Sequence, residues 1–138
     1  MSVLYFVIPG KAKGKDRPRF GNGSVHTSPA TAAYEKEVGW RALEAMKKTG
    51  FKRIESGPIT MSILVRVKQS KKTDFIFPVM KPDFDNVSKI ISDALNKVAF
   101  DDDKQIANFS YSREWGPDDC VSVEIAAAQK NFNEDEHL

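Results

Sequence analysis

The chain has few of the residues that carry soft-metal or covalent chemistry. It holds one cysteine, Cys120, in 138 residues, so no internal disulfide can form and no cysteine-rich zinc site can be assembled. Its two histidines, His26 and His137, are isolated. No apolar run approaches the roughly 20 residues that cross a bilayer, so no membrane segment is expected. The opening MSVLYFVIPGKAKGK puts its apolar run before its basic residues, the reverse of a secretory signal. GKAKGKDRPRF lacks the G-x-x-x-x-G-K-[ST] spacing of a phosphate loop. The expectation is a soluble, cytoplasmic protein with Cys120 in a buried structural role and no small-molecule organic cofactor.

The remaining composition is that of an ordinary globular domain, 41% hydrophobic and 29% charged. One domain over residues 1–130 is expected, followed by a frayed polar tail, 131–138. The net charge of +2 is unevenly spread. Lys11, Lys13, Lys15, Arg17 and Arg19 fall within nine residues opposed only by Asp16, while Glu134, Asp135 and Glu136 crowd the other end. A basic loop of this kind suits contact with nucleic-acid phosphates, although many such charge runs are only solvated surface.

Periodicity predicts an α+β fold, a mixed sheet with helices packed on it, in the order β-α-β-α-β-β. Residues 3–8, VLYFVI, are apolar on both alternations, as in a central strand covered on both faces. Residues 9–29 are broken by Pro9, Gly10, Gly14, Pro18, Gly21, Gly23 and Pro29 and read as a long loop. Ser28-Pro29 opens a helix with the stripe Tyr34, Val38, Ala42, Ala45 and Met46, which Gly50 ends. Ile59, Met61, Ile63, Val65 and Val67 alternate as a half-buried strand, and a second basic loop carries Lys71, Lys72 and Lys81. A second helix from Phe84 buries Val87, Ile90, Ile91, Ala94, Leu95 and Val98. Phe109 to Trp115 and Val121 to Ala127 alternate on either side of Gly116-Pro117-Asp118-Asp119, which predicts an antiparallel hairpin.

Carboxylates gather at both ends of the second helix: Asp83 and Asp85 at its start, Asp101, Asp102 and Asp103 after it. Taken singly, each has an ordinary explanation. An aspartate at a helix start stabilises it by about 0.3–1 kcal/mol, Lys89 is spaced to pair with Asp85, and an Asp run can be a solvated turn. Together, crowded acids need a cation, and metal-assisted phosphoryl chemistry is the first expectation. A calcium loop starting at Asp83 fails, because Ser88 stands where glycine is required and Ala94 where glutamate is. A phosphatase-type D-x-D would end a buried strand, whereas Met80-Lys81-Pro82 precedes Asp83.

The run KPDFDNVSKIISDALN followed by DDDKQI resembles the signature of RusA-type Holliday-junction resolvases, small magnesium-dependent endonucleases of bacteria and prophages. IPGKAKGKDRPRF and VHTSPATAAYEKEV are similar to the basic loop and first helix of many phage-type members, so the likeness spans residues 3–125. It implies metal-binding and catalytic acids at Asp83, Asp85 and Asp103, with Asp102 as the alternative third ligand, and a catalytic lysine at Lys89. Asn86 and Asp93 match supporting positions. It further implies Mg²⁺, with Mn²⁺ as a substitute, branched DNA as substrate, a role in recombination and repair, and a homodimer placing two symmetric nicks. Lys11, Lys13, Lys15, Arg17, Arg19, Lys71 and Lys72 are the candidate DNA contacts. The rival expectation is a branched-DNA-binding module without catalysis.

Overall fold

The computed structural model describes residues 2–15, 19–21, 24–69 and 73–128, without the side chains of 19–21 and 24–26. Arg17, Lys71, Lys72, His137, the C-terminal tail and the side chains of Arg19 and His26 lie outside that description.

Among the described residues, six strands and two helices follow one another as β1 (Val3–Pro9), β2 (Arg19–Gly21), β3 (Ser24–His26), α1 (Pro29–Thr49), β4 (Ile59–Lys68), α2 (Phe84–Leu95), β5 (Ile106–Gly116) and β6 (Cys120–Ala127). A 3-10 turn, Asp103–Gln105, precedes β5. Strands β1, β6, β4 and β5 form one mixed sheet in that order, an α+β architecture. The expected loop over residues 9–29 contains a short antiparallel hairpin, β2 with β3.

Local chemistry sets the helix ends. The Ser28 hydroxyl accepts from the Thr31 backbone N–H at 3.1 Å, Pro29 supplies a preset φ, and Gly50 closes α1 in the left-handed region at φ 74°. Helix α2 buries Val87, Ile90, Ile91 and Leu95 and stops there, so Val98 lies in the following turn rather than on the helix. That turn is held by the fully buried Phe100 and by a Lys97 N–H donated to the Phe100 carbonyl at 2.8 Å. The aspartate run therefore begins immediately after an anchored residue.

The core lies on one face of the sheet. Leu4, Phe6 and Ile8 of β1, Ile59, Met61, Ile63 and Val65 of β4, and Val121, Val123 and Ile125 of β6 meet Val38 and Ala42 of α1 and the apolar stripe of α2. The opposite face is polar, with Ser62, Ser110, Ser112, Ser122 and Glu124 around Tyr5.

Two expectations about strands are corrected. β1 is an edge strand, not a central one: it pairs only with β6 among the described residues, and Val3 and Tyr5 of its second alternation are 42% and 52% exposed. Apolar residues on both alternations do not require two covered faces, because single exposed hydrophobics are common. β5 and β6 are not a hairpin, since β4 lies between them, parallel to β5 and antiparallel to β6. The four Cα steps from Gly116 to Cys120 can reach roughly 13 Å, enough to cross two strand spacings of about 4.8 Å each. A short turn thus passes over the end of β4, where Asp119 accepts from the Lys68 N–H at 2.9 Å.

Candidate metal and nucleic-acid site

The start of α2 lies beside β5, with the Phe84 ring 6.0 Å from that of Tyr111. Successive shallow cavities there share their walls. A basic one of about 630 Å³ is lined by Lys11, Lys13, Lys15, Lys81, Asp83 and Asn86. An apolar one of about 940 Å³ includes Asp83, Asp85, Phe84, Tyr111 and Arg113. An acidic one of about 320 Å³ includes Asp85, Lys89, Asp93 and Asp103, with Phe84 and Phe109 beside them. Asp83 borders the first two and Asp85 the last two, while Asp103 reaches the third from the opposite end of the helix.

The aspartates differ in what already holds them. Asp101 is taken by Arg53, whose Nε lies 2.7 Å from Oδ1. Asp102 caps the 3-10 turn by accepting from the Lys104 N–H at 3.0 Å, and that hydrogen bond holds its carboxyl below the usual carboxylate range. Asp93 carries two lysines, Lys15 and Lys89. Among the described residues, Asp83 occupies the N-cap position of α2 without a side-chain cap bond, and Asp85 accepts only from the adjacent Asn86 N–H at 3.0 Å. Asp103 is exposed and has no cationic partner among the described residues. Among the described residues, Asp83, Asp85, Asp102 and Asp103 are left without a cation, and of the two in the aspartate run it is Asp102 whose carboxylate is engaged as a cap.

Gln105 holds the aspartate run in place. Its Oε1 accepts from the N–H groups of Asp101 and Asp102, both at 2.9 Å, and its Nε2 donates to the carbonyls of Ile54 at 3.2 Å and Gly57 at 3.1 Å. One side chain thus ties the acidic turn to the segment that precedes β4, which is why a glutamine belongs in the D-D-x-Q spacing. Lys89 is 62% exposed, and its nearest carboxylate is Asp93 at 3.6 Å rather than Asp85.

The basic loop is docked against α2 rather than free of it. The Lys15 N–H donates to the Asn86 carbonyl at 3.2 Å, and a Cβ built on Gly14 would fall 2.6 Å from the Pro82 Cβ, so only glycine permits that approach. The Lys15 ammonium turns inward to Asp93 at 2.7 Å and Glu35 at 3.2 Å. Burial alone would pull its pKa down, but these two carboxylates outweigh it and raise it. Lys11 is exposed and Lys13 partly so, on the rim of the basic cavity. Beneath them Tyr34 is pushed up to about 12 by burial, with the Glu37 charge adding and the Lys13 backbone opposing.

Sequence reasoning passed over Arg113 and its neighbours. Arg113 donates to the Tyr111 hydroxyl at 2.8 Å and to the Pro82 carbonyl at 2.9 Å, while Trp115 donates to the Phe75 carbonyl at 3.2 Å. Strand β5 thereby holds both ends of a segment whose Phe75, Ile76, Phe77 and Val79 are all more than 60% exposed. A charged residue at an inward position of an otherwise apolar alternation was the available signal.

Among the described residues, no three His, Cys, Asp or Glu side chains converge into a ready-made ion cage. The donor set nevertheless fits a hard divalent ion: oxygen only, unneutralised and water-accessible. Mg²⁺ takes one or two protein carboxylates and keeps several waters. No helix among the described residues is long and apolar enough to cross a membrane.

Comparison with known proteins gives two findings. The model of the family described as endodeoxyribonuclease RusA matches residues 9–126. An uncharacterized protein of Bacillus subtilis strain 168, YqaN, is 29% identical over 141 aligned positions, covering 91% of this chain and 96% of that protein.

Proposed function

The chain belongs to the RusA family of endodeoxyribonucleases, and from that membership we propose that it resolves four-way DNA by Mg²⁺-dependent hydrolysis of two symmetric phosphodiesters, in recombination and repair. Members of the family are metal-dependent crossover junction endodeoxyribonucleases acting on branched DNA. The observation that carries the proposal for this chain is that Asp85, Lys89 and Asp103 line one shallow cavity, with neither acid in an ion pair among the described residues.

Asp83, Asp85 and Asp103 would hold the ion, with Asp102 kept to its capping role. Bound there, Mg²⁺ supplies a Lewis acid for a phosphate oxygen and a more acidic water. Lys89 places a point charge over the cavity, where it stabilises negative charge as it builds on the phosphate. Lys11, Lys13 and Lys81 meet neighbouring phosphates across the basic cavity, which makes affinity salt-sensitive. Arg17, Arg19, Lys71 and Lys72 extend that contact in the same proposal. The catalytic domain is taken as residues 1–130, working in the cytoplasm as a homodimer with one site per subunit.

Labelled four-way, Y-shaped and linear duplex DNA, each incubated with the protein with and without Mg²⁺, test this. The expected result is paired symmetric nicks in the four-way substrate only when Mg²⁺ is present. Four-way DNA that is bound but left intact with Mg²⁺ would reduce the chain to a binding module.

A further inference from the structure

We propose that Asp93 is a positioning residue of the catalytic site, one carboxylate that holds Lys89 on one oxygen and the root of the basic loop on the other. The inference rests on Lys89 acting on the scissile phosphate, as above. Asp93 lies one helical turn beyond Lys89 on α2, with Oδ1 3.6 Å from the Lys89 Nζ. Its Oδ2 is 2.7 Å from the Lys15 Nζ, and Lys15 in turn reaches Glu35 of α1 at 3.2 Å. Loop, first helix and second helix therefore meet at this carboxylate.

The two contacts are unequal, and the inequality is what the site can use. Lys15 is at close hydrogen-bonding distance and only 26% exposed, whereas Lys89 stands off at 3.6 Å and is 62% exposed. At that separation Lys89 feels the carboxylate's field but commits little of its donor capacity, since strong ammonium–carboxylate hydrogen bonds are about 2.7–2.9 Å long. Lys15 already neutralises much of the Asp93 charge. That keeps Lys89 tethered over the cavity without drawing it down out of reach of a phosphate. The Oδ2 of Asp93 is already engaged by Lys15, and its effect on the reaction passes through Lys89.

The same contact ties the loop to the chemistry. Lys15 is two residues from Lys13 on the rim of the basic cavity, and its backbone is fixed to Asn86 on the first turn of α2. A variant that removes the Lys15 ammonium leaves Asp93 to Lys89 alone. The lysine is then pulled into a tight pair, and the cleavage step slows although Lys15 touches no reacting atom.

Single-turnover cleavage of four-way DNA at saturating protein tests the inference with five variants: Asp93→Asn, Asp93→Glu, Lys15→Met, Lys89→Ala and the Asp93→Asn/Lys89→Ala pair. Asp93→Asn should lose about tenfold in rate, Asp93→Glu should recover most of it, and Lys15→Met should slow the rate several-fold. The pair should be within about twofold of Lys89→Ala, because groups acting through one another are not additive. Losses that multiply in the pair, or an Asp93→Asn rate equal to the parent, would overturn the positioning role, and thermal melting of each variant identifies those that fail to fold. A parent protein that does not cut four-way DNA would instead sink the proposed function. In that case lysine resonances of the uncut complex still decide the contact: an Asp93→Asn change that leaves the Lys89 signal unmoved removes it, and a shifted signal upholds it.

Discussion

Arg53 grips Asp101 through two nitrogens, Nε at 2.7 Å and Nη2 at 2.6 Å from the same carboxylate oxygen. The contact removes one aspartate from a run of three. Arg53→Ala and Asp101→Asn should each cost no more than about 1 kcal/mol, because both side chains are more than a third exposed and such pairs are weak. Both variants should still nick four-way DNA. Asp103→Asn should melt like the parent and lose cleavage by a hundredfold or more. Thermal denaturation beside a nicking assay separates the three, and an inactive Asp101→Asn protein with an active Asp103→Asn protein would reverse the assignment.

Gln105 makes its four hydrogen bonds with one side-chain amide, so its replacement strands partners at both ends. Gln105→Leu should cost about 1–3 kcal/mol through unsatisfied backbone groups. Cleavage should also slow at temperatures where the variant is folded, since the turn bearing Asp103 loses its tie to Ile54 and Gly57. Urea denaturation gives the first quantity and single-turnover nicking the second. Slowing only in proportion to the unfolded fraction would deny Gln105 any part in placing the acid.

Asp85 and Lys89 should fail differently. Asp85→Asn removes a charge meant for the ion, so cleavage should be abolished while junction binding persists. Lys89→Ala should slow cleavage by one to three orders of magnitude and leave Mn²⁺ or Mg²⁺ binding unchanged, as expected for a group acting mainly in the transition state. Gel shift and calorimetric metal titration beside the rate check both. A folded Asp85→Asn protein that no longer binds junctions would contradict its role.

Tyr34 gives a pH signature at the alkaline end. Its folded pKa is near 12 against an ordinary 10.0. Below pH 10 the phenol is protonated in folded and unfolded chains alike, and its full stabilisation is present. Between pH 10 and about 12 the unfolded chain gives up the proton first, so stability should fall by up to ~1.4 kcal/mol per pH unit. Tyr34→Phe should flatten that decline and remove one late tyrosinate step from the absorbance titration. An unchanged titration would mean that Tyr34 is solvated.

The parts of the site readable in the sequence are those whose cause is local. Asp83, Asp85 and Lys89 belong to one helix start, and Asp101 to Asp103 to one turn, so spacing alone linked them to a helix. Which of the three aspartates is free was not legible, because Arg53 lies 48 residues from Asp101 and Gln105 acts on backbone across a similar gap. The basic loop was legible as charge, but the inward turn of Lys15 depends on Glu35 and Asp93, carboxylates brought beside it by packing.

The fold divides along the same line. Helix α1 follows from its caps and both helices from a 3.6-residue stripe, which act over a few residues, so the chain alone determined that they form. Strand alternation determined which residues of β4 and β6 face the core. Tertiary structure decided the neighbours: β1 at the edge, β4 inserted between β5 and β6, and β5 beside the acids. A strand carries the same pattern whichever partner it meets, so pairing is chosen by the competition of all strands and helices for one core. That choice sets the start of α2 beside β5 and brings Asp85 and Asp103 to the same cavity.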